Sequence, residues 1–254
     1  MKLGIEYDLL QPPRDIPKEV SILNIINPLI PNFLEEYHPN DTFSPIDPGY
    51  EIIVDGSFID LNTGSPERVV RDIAKKKVSE SIALAKRFNA SEVIFLSNFL
   101  PFLNEKRYYE SWYFSLSIEF WKEITERHPD IRISLANVFE FSPEPLMRIL
   151  ESVDAPNLGL AFDLGHALVF SRVDLFAWYQ QIKPYLFTLY AHSNDRSGDL
   201  HLHLDEGVFL EDMAVSRILN SGDDLRLLFK SFNKDSYDRD IKVLHSLHLP
   251  GMHP

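Results

Sequence analysis

Cysteine is absent from the 254-residue chain. Disulfides and thiolate chemistry are therefore excluded, and any metal ion must be ligated by His, Asp or Glu. Positive charge is scarce: 25 Lys and Arg stand against 38 Asp and Glu, a formal net charge of -13. Such a surface repels a phosphate backbone unless a local basic cleft compensates. Nucleic acid is an unfavourable partner on this count, and a small neutral ligand an easier one. No apolar run approaches the roughly 18 residues that a membrane span needs. The N-terminus, Met1-Lys2-Leu3-Gly4-Ile5-Glu6-Tyr7-Asp8, carries two acids where a leader peptide needs an apolar stretch. The expectation is a cytoplasmic protein with no membrane partner. Linkers, low-complexity tracts and internal repeats are missing as well, so residues 1–254 are expected to form one domain. Oligomeric state leaves no signature.

What is present is a large apolar complement, 44% of residues, arranged in short runs. The candidate strands are Lys2–Tyr7, Val20–Ile26, Glu51–Val54, Glu92–Ser97, Ile131–Asn137, Leu158–Asp163, Phe187–His192 and Ile241–His245. Several are continuous Val, Ile, Leu and Phe runs rather than alternations, as expected of parallel strands covered by helices. Eight such runs in a chain of this length predict an α/β fold, a single closed (β/α)8 barrel. Ser65-Pro66 has the form of an N-cap followed by Pro at the first helical position. It predicts a helix with Val70, Ile73, Val78, Ile82, Ala85 and Phe88 toward the barrel. Helices are also predicted over Glu105–Arg127, Glu144–Val153, Val173–Ile182, Leu210–Leu219 and Asp224–Phe232, and Asn27–Tyr50 reads as a long excursion without period.

The histidines are unevenly spread. His166, His192, His201 and His203 fall close together, with Asp163, Asp195, Asp199 and Glu206 among them. In Phe162-Asp163-Leu164-Gly165-His166 a strand runs into a carboxylate and a Gly-containing turn returns an imidazole beside it. Asp163 would then stand at the C-terminal rim, where this architecture builds active sites. His192 closes the next strand. In Asp199-Leu200-His201 an extended backbone would point the carboxylate and the imidazole to one side. Two imidazoles and a carboxylate with an open position can hold zinc or another first-row divalent ion. Each fragment alone also fits a capping or hydrogen-bonding role; together, on consecutive strand ends, they predict a polar or metal-binding site.

The same stretches resemble the xylose-isomerase-like and endonuclease-IV-like group of TIM barrels. Asn157-Leu158-Gly159-Leu160-Ala161-Phe162-Asp163-Leu164-Gly165-His166-Ala167 is similar to one of its strand motifs, and Leu189-Tyr190-Ala191-His192-Ser193-Asn194-Asp195 to the next. Gly198-Asp199-Leu200-His201-Leu202-His203-Leu204-Asp205-Glu206-Gly207 resembles the loop that follows. The resemblance implies a metal site of Asp163, His166, His192, Asp199 and His201, with Zn or Mn at one ion per chain or none. It also implies two departures. The family's metal-binding glutamates of strands five and eight fall at Ala136 and Leu244, and two histidines of the nuclease branch fall at Asp55 and Leu96. The set that matches one complete nuclease-branch site is His166, Asp199 and His201.

The implied function is a sugar isomerase- or epimerase-like barrel acting on a small carbohydrate-type ligand. The alternatives are a catalytically silent binding barrel and, less favoured, a phosphodiesterase at abasic DNA. If catalysis survives, Glu206 and Glu140 are the acids available for proton transfer. Arg196, His203 and Phe58 are candidates to touch the ligand, and Phe99, Phe102 and Trp112 either line the pocket or belong to the core.

Overall fold

Successive side chains of a strand point to opposite faces, so in a closed sheet every second residue faces the barrel axis. The protein is described by a computed structural model covering residues 1–13, 15–30, 32–36, 43, 45–58, 61–101, 107–230 and 237–247. Its strands are β1 (Lys2–Tyr7), β2 (Val20–Ile25), β3 (Glu51–Asp55), β4 (Glu92–Leu96), β5 (Arg132–Ala136), β6 (Leu158–Asp163), β7 (Leu186–Ala191) and β8 (Arg226–Phe229). They close in sequence order into one barrel with all pairs parallel, and β1 meets β8 from Lys2↔Arg226 to Ile5↔Phe229.

Two apolar layers follow from the alternation. Leu3, Ile5, Leu23, Val54, Val93, Leu135, Leu160, Leu189 and Leu227 point outward into the main core under the helices. Ile22, Ile53, Ile94, Ala136, Ala161, Tyr190 and Leu228 form a separate cluster inside the barrel. Two residues further along their strands or strand ends come Asn24, Asp55, Leu96, Asp163, His192 and Lys230. This inner ring at the C-terminal mouth is mostly polar. On the opposite, N-terminal side the interior is sealed by ion pairs: Arg226 bonds Glu92, reaches Glu51 at 2.6 Å and donates to the Phe187 carbonyl at 2.9 Å. Glu92 also accepts from Ser134 at 2.5 Å and Thr188 at 2.9 Å.

The helices are α1 (Phe33–Glu36), α2 (Arg68–Arg87), α3 (Arg107–Arg127), α4 (Glu144–Val153), α5 (Leu164–Phe170), α6 (Leu175–Ile182), α7 (Met213–Leu219) and α8 (Tyr237–Ser246). Among the described residues none lies between β1 and β2. α4 buries Leu146, Ile149, Leu150 and Val153, an i, i+3, i+4, i+7 stripe, and stops where Asp154 enters the left-handed region at φ 51. In α2, Val78, Ile82 and Ala85 are buried as predicted, but Ile73 is half exposed; Ala74 is the buried neighbour. Ser65 caps no helix there. It accepts the Glu67 N–H at 3.2 Å, and the helix starts at Arg68. No helix among the described residues is long and apolar enough to cross a membrane.

The eighth strand lies elsewhere than the sequence predicts. Arg226–Phe229, read above as part of a helix, is β8, and Ile241–His245, read as the strand, belongs to α8. Leu244 is therefore a fully buried helix residue in the outer core, not a wall residue of the mouth. The residue that enters the mouth beyond β8 is Lys230.

Candidate metal centre at the barrel mouth

Chain geometry around the end of β6 builds the site first. Asp163 is the N-cap of α5 and accepts the His166 N–H at 2.9 Å, so the turn predicted after Asp163 is the first turn of a helix. Asn137 clamps the same place: its amide oxygen accepts the Asp163 N–H at 2.7 Å and its amide nitrogen donates to the Asp163 carbonyl at 2.9 Å. Gly165 is required there, because a Cβ on it would run into the His192 ring.

The second half comes from the loop after β7. Ser193 and Leu202 exchange both backbone hydrogen bonds, at 2.9 and 2.8 Å, closing the loop on itself. Inside it the buried Asn194 accepts the N–H groups of Leu200 and His201 and donates to the Gly165 carbonyl at 2.8 Å. Asp199 and His201 converge as expected, but not through an extended backbone: His201 is in the left-handed region at φ 49. That is a costly conformation for a residue with a Cβ, held here by the Asn194 clamp.

His166, His192, Asp199 and His201 each offer one ligand atom, and these atoms lie within 4.8 Å of one another. Nε2 of His166 and Nε2 of His201 face the same Asp199 oxygen at 3.2 and 3.3 Å. Their Nδ1 atoms donate to the carbonyls of Asn137 and Lys230, both at 2.8 Å. A neutral imidazole so held carries its lone pair on Nε2. Two lone pairs aimed at a carboxylate oxygen repel unless a proton or a metal ion sits between them. His192 adds a third ring, stacked on His201 at 4.0 Å and 6°. Its Nε2 donates to Asp163 at 2.8 Å, so its lone pair is on Nδ1, a buried atom with no hydrogen-bond partner. These donors fit a borderline divalent ion such as zinc.

Asp163 stands behind the rings rather than among the four: its carboxylate touches His192 Nε2 at 2.8 Å and His166 Nδ1 at 3.3 Å. Burial opposes its charge, yet the two imidazoles hold its carboxyl well below the usual range. Burial likewise opposes a charged His166, but Asp163 and Asp199 outweigh it and raise its pKa to about 9, so without an ion its Nε2 carries a proton toward Asp199, which a bound ion would displace. His192 is pushed down by burial and stays neutral.

The other sequence-predicted residues are distributed around this centre. Glu140 is buried, accepts from the Ser97 hydroxyl and, at 2.7 Å, from the Val138 N–H, and burial raises its pKa. Glu206 accepts the His203 N–H at 3.3 Å and pairs with Arg239 at 3.1 Å, holding its loop to α8. His203 is buried against Asp240 at 3.1 Å. Arg196 is exposed and pairs with Asp212 at 2.9 Å. Phe58 is part-buried in the loop after β3. Phe99 lies in the core beside Tyr109, Tyr113 and Phe114, Trp112 packs against Tyr109, and Phe102 lies outside the described residues.

Three residues have structural roles at the site that sequence reasoning does not reach. Asn194 and Asn137 are ordinary amides in sequence, and only the closed loop and the adjoining strand end make them clamps. Lys230 escapes because the sequence pattern places the eighth strand further along the chain. Its carbonyl holds His201, while its ammonium lies 3.1 Å from Asp55 and 4.1 Å from the centroid of the Tyr190 ring. Burial disfavours that charge, but Asp55, Glu6 and Asp163 keep its pKa above the usual value.

Residues 42–247 match the family described as xylose isomerase-like TIM barrel. An uncharacterised protein of Methanocaldococcus jannaschii, MJ1311, is 30% identical over 166 residues, 62% of this chain and 56% of that protein. The match thus spans little more than half the length of that relative. Among solved structures, a D-tagatose 3-epimerase-like protein superposes with a TM-score of 0.75 at 21% identity, over 98% of this chain and 97% of the other. The TTHB071 protein from Thermus thermophilus, soaked with ZnCl2, gives 0.68 at 19% identity over 97% and 98%. D-psicose 3-epimerase in the presence of D-fructose gives 0.64 at 13% identity over 96% and 90%. At these identities the likeness to the solved structures is one of fold.

Proposed function

The chain belongs to the xylose isomerase-like TIM-barrel family, and on that premise we propose that it is a sugar isomerase- or epimerase-like barrel with one divalent ion, Zn or Mn, at its mouth. The ligand is a small carbohydrate-type molecule. One observation carries the reading: two imidazole Nε2 atoms share one Asp199 oxygen while their Nδ1 protons are committed to backbone carbonyls. His166, Asp199 and His201 would hold the ion, with the Nδ1 lone pair of His192 beside them. When bound, it supplies Lewis acidity toward a carbonyl or hydroxyl oxygen of the ligand.

The chain's own groups do the rest. Asp163 fixes the tautomer of His192 and the tilt of His166, so His192 keeps a lone pair on Nδ1 and His166 would present Nε2 to an ion that displaces its proton. Proton transfer is assigned to Glu140, because burial keeps its carboxyl closer to neutral pH than an exposed acid. Glu206 positions the loop through His203 and Arg239. The barrel wall itself offers no acid where β5 ends, since the inward residue is Ala136.

The test is metal content together with hydrogen exchange. The purified protein should carry about one equivalent of zinc or manganese, as one such donor set holds one ion. His201→Ala should remove it; unchanged metal in that variant sinks the assignment. Neutral ketoses and aldoses incubated with the loaded protein in D2O should gain deuterium at a carbon next to the carbonyl. Glu140→Gln should slow that exchange roughly 100-fold at unchanged zinc content, the scale of a lost general acid or base.

A second reading, a binding barrel without turnover, rests on the carboxyl groups already engaged. Asp163 is taken by two imidazoles, Glu140 by Ser97 and Val138, and Asp55 by Tyr190 and Lys230. Saturable sugar binding with no deuterium uptake would select it. Phosphodiester cleavage is the least supported reading, given a net charge of -13 and a single candidate ion cluster among the described residues.

A further inference from the structure

Across the mouth from the metal centre, on the β1–β2–β3–β8 side, is a second group of polar side chains. Asn24 follows Ile22 on β2 and so points into the barrel; it is fully buried. Neither its amide oxygen nor its amide nitrogen has a hydrogen-bond partner. Glu6 pairs in register with Asn24, and the Ile5↔Phe229 pair sets Glu6 next to Lys230 at the same level of the wall. Lys230 lies 3.1 Å from Asp55, whose other oxygen accepts the Tyr190 hydroxyl. Lys230 also joins this group to the metal centre, since its carbonyl orients His201 at 2.8 Å.

A buried amide with both ends unsatisfied destabilises a folded chain, and native proteins retain few such groups. The mouth is also short of positive charge. Glu6, Asp55 and Asp163 lie around the Lys230 ammonium, and Asp199 stands in the metal centre. Among the described residues a divalent ion in place of the His166 proton therefore leaves no surplus cation to neutralise a phosphate or carboxylate. Arg196, on the rim, is already paired with Asp212. Charge repulsion thus works against anions, while donors and acceptors side by side suit hydroxyl groups.

We infer that Asn24, Asp55 and Lys230 form an inner subsite that binds the hydroxyl groups of a neutral, unphosphorylated polyol, with Asn24 as its specificity-determining residue. The inference deepens the carbohydrate reading above and rests on it. The Asn24 amide donates to one ligand oxygen and accepts from a neighbouring hydroxyl. Asp55 and Lys230 present a fixed acceptor and donor beside it.

The test uses the full-length zinc-loaded protein with D-fructose, D-tagatose and D-fructose 6-phosphate as probes, followed by calorimetry. At least one neutral sugar should bind saturably, and the phosphate ester should bind roughly tenfold or more weaker. Asn24→Leu should raise the Tm of the sugar-free protein by about 3 °C or more, because an apolar group of similar size replaces an unsatisfied amide. The same substitution should weaken the neutral sugar roughly tenfold or more, the scale of a lost buried hydrogen-bonding group. Asn24→Ala, which adds no bulk, should repeat the binding loss. A purely structural amide gives the opposite pattern: a lower Tm and unchanged affinity in both variants, which overturns the assignment. Absence of saturable binding for both neutral sugars, or preference for the phosphate ester, overturns it too. Zinc measured in the same samples separates the failures. Lost zinc with intact sugar binding removes the metal reading alone. Intact zinc without any sugar binding removes the carbohydrate reading and the subsite with it, and sugar binding unchanged by both Asn24 substitutions removes the subsite alone.

Discussion

Gly165 is a small residue with a large steric duty. A Cβ built on Gly165 would overlap the Cε1, Nδ1 and Nε2 atoms of His192, so a methyl group there would force the ring away from Asp163 and out of register with His201. Gly165→Ala should therefore weaken zinc affinity by about 10-fold or more, the range seen for disturbed ligand orientation. Competition against a chromogenic chelator measures it, and affinity within twofold of the parent would show that the ring adapts. The sequence singles out Asp163, His166, His192, Asp199 and His201 because the chain has only 9 histidines and three of them crowd onto two strand ends. It does not separate Asp163, which stands behind the rings, from the other four. The amides of Asn24, Asn137 and Asn194 were not legible. Nothing in an asparagine's neighbours along the chain tells whether its amide will clamp a loop, cap a strand end or stay unsatisfied; only closure of the barrel decides.

The element scale holds the main misreading. Ile241-Lys242-Val243 alternates apolar and polar residues as a strand does before Leu244 breaks the pattern, and Tyr237, Ile241 and Leu244 fall at helical spacing. A short segment satisfies both periods, and tertiary packing chooses. β8 is only four residues long and is entered from Asp223-Asp224, so its apolar core of Leu227, Leu228 and Phe229 gave little periodic signal. The other seven strands and the long helices were readable because they are longer and bounded by Pro, Gly and Asn. The correction carries a prediction. Leu244→Glu, which the sequence reading would treat as restoring a metal ligand, should instead bury a carboxylate in the outer core. We expect a loss of roughly 3–5 kcal/mol in urea denaturation, from lost packing plus an unpaired buried charge, with no gain in zinc affinity. A rise in zinc affinity with stability intact would place the segment in the wall after all.

At the scale of the whole molecule, the ion-pair layer at the N-terminal end ties β1, β3, β4, β7 and β8 together. Glu51 is its outer edge, bonded by Lys2 at 2.9 Å, Ser91 at 2.8 Å and Arg226 at 2.6 Å. Burial alone would raise its pKa, but Lys2, Ser91 and Arg226 together lower it from 4.5 to about 2. A depressed carboxyl contributes stability that is complete above the unfolded-state pKa and fades as pH falls toward the folded one. Glu51 should thus contribute roughly 1–2 kcal/mol at neutral pH once solvent screening of the part-exposed pair is discounted, lost between about pH 4.5 and 2. Glu51→Gln should lose that increment at pH 7 and show a flatter acid limb in pH-dependent unfolding. Parallel acid limbs for the two proteins would mean that the pair contributes nothing net.

The same layer has a kinetic corollary. Arg226 and Glu92 below, with Ile22, Ile53, Ile94, Tyr190 and Leu228 packed above them, stopper the cylinder at one end. Among the described residues the floor beneath the mouth is closed, which leaves the mouth as the way in. Whatever enters must leave by the way it came, so departure and arrival take turns, and a spent molecule lingering at the threshold bars the next one.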